Sequence, residues 1–184
     1  MILKYIGTHK IYEVSNEIIL VKNFMRKELC SEIIKECEKL SSWRSVDNDS
    51  YPGQEIRLNK LPELYKQFED MYNDVIVYIS EKYWKKLTLW GIRDCFIIKY
   101  TTETQTSLDL HHDHSLVTGS IKLSDSYVGG DLFFPRQNYS NRKTEIGDLL
   151  LWPGQVTHPH ESLPLIEGVK HSFVLWTKRS NWDE

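Results

Sequence analysis

Two short segments hold the residues of this chain best suited to chemistry. Leu108-Asp109-Leu110-His111-His112-Asp113-His114-Ser115 is one, and Thr157-His158-Pro159-His160-Glu161 is the other. Five of the seven histidines fall in them. Histidines crowd together mainly where a metal is ligated or protons are moved. His111 and Asp113 are two apart, so on an extended strand they share a face, and His112 and His114 take the opposite one. The pair offers a neutral imidazole nitrogen and a carboxylate oxygen to one point in space. A third ligand must come from elsewhere, and His160 is the best candidate, with His158 as its rival at the same parity. Two His and one carboxylate on one side of an ion leave the other positions open, the arrangement suited to non-haem Fe(II).

The pair alone is weak evidence, since chance supplies about 0.4 His-x-Asp pairs in a chain of this composition; a surface strand with a polar turn would serve as well. The downstream context adds to it. Pro164 and Gly168 punctuate a turn after His160, and Lys170-His171-Ser172-Phe173-Val174-Leu175-Trp176-Thr177 is a strong strand. Its parity puts Lys170, Ser172, Val174 and Trp176 on one face. If that face looks inward, Lys170 is a cation in an apolar, aromatic-lined interior, which is costly unless an anion joins it. If it looks outward, Phe173 and Leu175 form the core instead.

In order, His111-x-Asp113, His160 and a basic residue ten positions on resemble the 2-oxoglutarate and Fe(II)-dependent dioxygenases of the prolyl 4-hydroxylase and procollagen lysyl hydroxylase group. The likeness runs from about Phe96 to Thr177. It includes Phe96-Ile97-Ile98-Lys99-Tyr100, Val128-Gly129-Gly130-Asp131-Leu132 and Gly147-Asp148-Leu149-Leu150-Leu151. The resemblance implies a double-stranded β-helix (jelly roll, cupin-like) backed by two N-terminal helices. It implies Fe(II) held by His111, Asp113 and His160, with no further catalytic side chain. It also implies 2-oxoglutarate as cosubstrate, its distal carboxylate on Lys170, with Tyr100 and Trp176 lining its pocket and ascorbate as an accessory. Thr118 and Ser120 are candidates for added polar contacts. The implied reaction is hydroxylation of a substrate C–H bond by dioxygen, releasing succinate and CO2. Peptidyl proline is the first substrate expected, peptidyl lysine or a free small molecule the next. Lysine at position 170 binds a carboxylate as a point charge where many relatives have arginine.

The elements that must position these residues are mostly strands. From Leu87 on, candidate strands are 88–100, 107–112, 116–123, 130–134, 148–152, 156–160 and 169–177, a spacing that suggests a sandwich or barrel. Before them come two or three short strands within 2–22. A helix follows from Asn23-Phe24 to about Leu40, with Leu29, Cys30, Ile33, Ile34 and Cys37 as its apolar stripe. A second helix opens at Leu61-Pro62-Glu63. The polar connection from Ser41 to Leu58 is long enough to be a lid over the site. The linker from Arg136 to Lys143 reads as a solvated hairpin loop, with a place on a substrate rim as the alternative. One domain over 1–184 is expected, with strands and support helices in 1–86 and a catalytic β core in 87–178.

Composition narrows the class. A net charge of −3 and a pI near 6.2 give no basic excess for nucleic acid. No apolar run approaches the ~20 residues of a membrane span, and Met1 to Tyr5 lacks a signal peptide's apolar core. Cys30 and Cys37 sit two turns apart on one helix, roughly 10 Å, too far for a disulfide. With an odd number of cysteines this points to a reduced, cytoplasmic protein. The rival reading is a non-catalytic jelly-roll module that binds a metal or ligand; such a module has no need of Lys170 together with all three ligands.

Overall fold

The computed structural model describes the backbone of residues 2–6 and all of residues 9–44, 53–85 and 87–183. The chain opens with three antiparallel strands, β1 (Ile2–Ile6), β2 (His9–Ser15) and β3 (Ile18–Lys22), before its first helix, α1 (Lys27–Leu40). Next come β4 (Gln54–Arg57) and α2 (Pro62–Met71), which runs through a π-helical stretch at Tyr72–Ile76 into α3 (Val77–Tyr83). The helices are therefore mid-chain, where an N-terminal pair was expected. The remaining strands are β5 (Ile92–Thr101), β6 (Leu108–His111), β7 (Val117–Lys122), β8 (Tyr127–Gly129), β9 (Leu132–Phe134), β10 (Tyr139–Ser140), β11 (Leu149–Pro153), β12 (His160–Ser162) and β13 (Leu165–Thr177). The fold is mainly β.

Two antiparallel sheets face each other. The larger has the order β1-β2-β3-β11-β7-β13-β5-β4, with β8 attached to the early part of β13; the smaller has the order β10-β9-β12-β6. Helix packing closes the outer face of the larger sheet. In α1, Leu29, Cys30, Ile33 and Cys37 are buried at helical spacing. Phe68 of α2 sets its ring 4.4 Å from that of Phe173 on β13, the centre of a core that includes Ile97, Ile121, Leu149 and Leu175. Period-two alternation then decides the rest: if Phe173 and Leu175 meet the helices, then Lys170, Ser172, Val174 and Trp176 must face the smaller sheet. Both faces of β13 are thus committed, which removes the choice left open by the sequence.

Several boundaries differ from expectation for local reasons. Helix α1 starts later than Asn23 because Asn23 takes φ 52 in a turn and Met25 bonds through its N–H to the Gly147 carbonyl. Strand β5 starts after Gly91, which takes φ 112. No strand occupies 156–159; His160 begins a strand where it was expected to end one. The linker 136–143 is partly ordered by β10 and a 3-10 turn, with Arg142 paired to Asp131 and Asn141 capping the Leu132 N–H. Within 41–58, residues 53–58 are tied to the sheet edge through β4, and residues 45–52, the tip of the expected lid, lie outside the described residues.

Candidate metal centre

Strands β6 and β12 pair with His111 directly opposite His160. A cross-strand pair brings side chains within contact on one face, and the two imidazole centroids are 4.5 Å apart. Asp113 follows just beyond the end of β6, its N–H bonded to the Gly154 carbonyl at 2.9 Å. Gly154 permits that approach, since a Cβ there would meet the Ser115 carbonyl oxygen and Thr118 Oγ1 at 2.6 Å. The carboxylate is thereby turned between the two imidazoles. Asp113 Oδ1 lies 3.6 Å from His111 Nε2, and Oδ2 lies 3.3 Å from His160 Nε2. One ligand atom from each of the three residues lies within 4.8 Å of the others.

The hydrogen bonds around this triad set which atoms are free to ligate. His111 Nδ1 donates to the Asp109 carbonyl at 2.6 Å, and His160 Nδ1 donates to the His158 carbonyl at 3.0 Å. A carbonyl only accepts, so each Nδ1 carries the proton and each neutral ring keeps its Nε2 lone pair for the shared point. Burial pushes His160 below its ordinary range, against the opposing pull of Asp113, so its neutral form dominates at neutral pH. Asp113 is buried and its Oδ2 has no hydrogen-bond partner. Burial alone would raise its carboxyl; positive charge at His160 and His111 would hold it down. A divalent cation supplies that charge while leaving both imidazoles neutral. The donor set of two imidazole nitrogens and one carboxylate oxygen, with lone pairs converging, fits Fe(II) with open positions.

The same cavity holds Lys170. It encloses about 370 Å³ between the sheets, within the range of small-ligand pockets. Lys170 is only 3% exposed. Its Nζ donates to Ser162 Oγ at 2.8 Å and sits 4.4 Å from the centre of the Tyr100 ring, its partner across β13 and β5. Gly130 at φ 66 lets the lysine stem pass, since a Cβ there would stand 3.2 Å from its Cδ. Burial lowers the ammonium to about 7, with Asp131 opposing and Lys122 adding to the shift. Burial likewise pushes the Tyr100 phenol up, with Ser162 opposing. Trp176 lines the cavity with its ring edge-to-face on Phe96, centroids 5.2 Å apart, and its Nε1 is buried without a partner. Thr118 and Ser120 also line it, and Thr118 Oγ1 is another partnerless buried atom.

The other histidines go elsewhere. His158 is buried, but its Nε2 contacts the Asn16 carbonyl and its Nδ1 contacts Thr157 Oγ1, so both nitrogens are engaged away from the triad. His112 and His114 are exposed at the cavity rim. His171 lies on the helix side of β13, 2.9 Å from Glu38, which also takes Lys99. No residue of the 136–143 linker is among the described lining residues. Sequence reasoning missed Ser162 and Glu55 as lining residues, whose places depend on which strands pair; no local pattern marks them.

Comparison with known proteins agrees with this geometry. No family model matches the chain. It is 31% identical over 158 residues to the procollagen-lysine,2-oxoglutarate 5-dioxygenase 1 of Gallus gallus, covering 79% of this chain and 22% of that protein. The chain thus spans about a fifth of such relatives. Among solved structures, a Pseudomonas putida prolyl-4-hydroxylase superposes with TM-score 0.69 at 16% identity, covering 89% of this chain and 93% of that one. A Trichoplax adhaerens prolyl hydroxylase, in complex with a hypoxia-inducible-factor peptide, gives TM-score 0.70 at 17% identity over 88% of this chain and 83% of its own. The double-stranded β-helix fold is shared with these neighbours.

Proposed function

We propose that this chain is a 2-oxoglutarate/Fe(II)-dependent dioxygenase of the prolyl 4-hydroxylase and procollagen lysyl hydroxylase type, and that it hydroxylates a C–H bond of a peptidyl side chain, prolyl or lysyl. The observation that carries this reading is one cavity containing both parts of the required chemistry. His111 Nε2, His160 Nε2 and the Asp113 carboxylate would hold the iron, and the buried ammonium of Lys170 would receive the far carboxylate of the cosubstrate. When bound, Fe(II) with 2-oxoglutarate and dioxygen supplies the oxidising equivalent for hydroxylation, with succinate and CO2 as coproducts.

The chain's own residues then have distinct tasks. Nδ1–H donation to backbone carbonyls keeps His111 and His160 in the ligating tautomer. Lys170 would orient the cosubstrate through a charge-assisted hydrogen bond, braced by Ser162 and Tyr100. Trp176 and Phe96 would exclude water from that end of the cavity. The reading takes residues 1–184 as one domain, because β3 pairs with β11 and so joins the early strands to the later core. All three cysteines are buried and unbonded, and no helix among the described residues is long and apolar enough to cross a membrane. The test is oxygen-dependent succinate formation from 2-oxoglutarate by the Fe(II)-loaded protein. No succinate with prolyl or lysyl peptides, and none without substrate, would remove the reading.

A further inference from the structure

The stretch that delivers His160 has no ladder of its own. Residues 154–159 lie outside any strand, and β12 is three residues long with His160 as its first. Strand β9 pairs with Glu161 and Ser162 but not with His160. Side chains from elsewhere hold this stretch instead. Arg136 Nη1 donates to the Val156 carbonyl at 2.9 Å, and Gln137 Nε2 donates to the Thr157 carbonyl at 3.0 Å. His158 Nε2 reaches the Asn16 carbonyl at 2.8 Å, in the turn between β2 and β3, across 142 positions of sequence. The same turn braces Gln137, because Ser15 Oγ donates to the Gln137 carbonyl at 3.1 Å. A carbonyl only accepts, so His158 carries its proton on Nε2, and its bare Nδ1 accepts from Thr157 Oγ1 at 2.8 Å. That tautomer is the reverse of the one held by His160. The main-chain carbonyl of His158, in turn, takes the His160 Nδ1–H at 3.0 Å. His158 is 2% exposed, and each of its polar groups is committed.

We propose that His158 is a positioning residue for the metal centre: its imidazole, anchored on Asn16, fixes the carbonyl that orients His160 and keeps the His160 Nε2 lone pair aimed at the metal. This rests on the reading of His111, Asp113 and His160 as the ligand set. The group that accepts a ligating imidazole's second N–H sets the ring's orientation and tautomer, and losing it costs metal affinity. Here that acceptor lies in an irregular segment, so no strand neighbour holds it and a side-chain anchor takes over. With the anchor released, the carbonyl would turn toward water, and His160 would carry its proton on either nitrogen. Only the form with a bare Nε2 can ligate at the point shared with Asp113. His111 has no such need, because its acceptor, the Asp109 carbonyl, lies within β6 itself. The β2–β3 turn is thereby part of the metal centre, although it supplies no ligand.

The experiment reads imidazole tautomers by nitrogen NMR in the metal-free protein, and Fe(II) affinity under anaerobic conditions, for the wild type, His158→Gln and His158→Asn. A glutamine amide nitrogen takes the place of imidazole Nε2 and still reaches Asn16; an asparagine amide takes the place of Nδ1 and falls short. The wild type should show His158 protonated on Nε2 and His160 protonated on Nδ1. His158→Gln should keep the His160 tautomer and most of the iron affinity. His158→Asn should mix the His160 tautomers and weaken Fe(II) binding by about 10- to 100-fold. A merely structural role would lower the melting temperature of both variants and leave tautomer and affinity the same in the two. Equal Fe(II) affinity in the Gln and Asn variants, or wild-type His158 protonated on Nδ1, would overturn the assignment. The wild-type spectrum decides even if a variant folds poorly. Failure of the wild type to bind Fe(II), with both tautomers as assigned, would sink the ligand-set reading and leave the link from Asn16 through His158 to His160 standing.

Discussion

Replacing Lys170 with Met should make the ligand-free protein more stable while crippling its grip on 2-oxoglutarate. Burial lowers this ammonium from 10.5 to about 7. At 1.36 kcal/mol per unit, keeping a lysine here costs the fold roughly 4 kcal/mol at pH 7. Met fills similar volume without that cost, though losing the hydrogen bond to Ser162 returns about 1 kcal/mol. A net gain of roughly 2–3 kcal/mol should raise the melting temperature by about 4–10 °C in a domain this size. The sign follows from proton counting. The unfolded chain holds this proton up to 10.5 and the folded chain releases it near 7, so in the wild type this group's contribution to stability rises with pH across that window. The advantage of Lys170→Met must shrink over the same range. Loss of the charge-assisted bond should raise the KM for 2-oxoglutarate by about 10- to 150-fold. Wild-type affinity for this dianion should fall above pH 7, by up to about tenfold per unit, with proton uptake on binding. Thermal melts across pH, and calorimetric titration in two buffers of different ionisation enthalpy, measure both effects. A variant that melts lower at every pH, with near wild-type and pH-independent affinity, would refute the reasoning.

Three further outcomes follow from the geometry. His160→Ala should keep the fold but abolish the rise in melting temperature that Fe(II) or another divalent ion gives the wild type; retained metal-dependent stabilisation and turnover would disprove the ligand set. Ser162→Ala leaves Lys170 Nζ without its 2.8 Å acceptor, so ligand-free stability should drop by about 1–2 kcal/mol, and saturating 2-oxoglutarate should recover most of it in the same melt. Phe173→Ala opens the packing between β13 and α2 and should cost about 3–5 kcal/mol in denaturant unfolding; a loss below about 1 kcal/mol would show that this contact is not central.

The sequence by itself determined the local and periodic features. The parity of His111 with Asp113, the shared face of Lys170, Ser172, Val174 and Trp176, and the apolar stripe of α1 are fixed by chain geometry over a few residues, so they could be read directly. The order of motifs along the chain carried the resemblance and with it the expected ligand set. Tertiary structure alone decided what depends on partners distant in sequence. Only the pairing of β12 with β6 puts His160 opposite His111, and only the bond between His158 Nε2 and Asn16 takes the rival imidazole away. The direction of Lys170 was undecidable until the helices claimed Phe173 and Leu175, because a strand's alternation says which residues share a face and not which face is covered. The short pieces β4 and β8 escaped notice for the same reason: a few residues have too little pattern of their own, and become strands because a longer neighbour offers its unpaired backbone. Glu55 reaches the cavity by that route, through a ladder formed with residues some forty positions away.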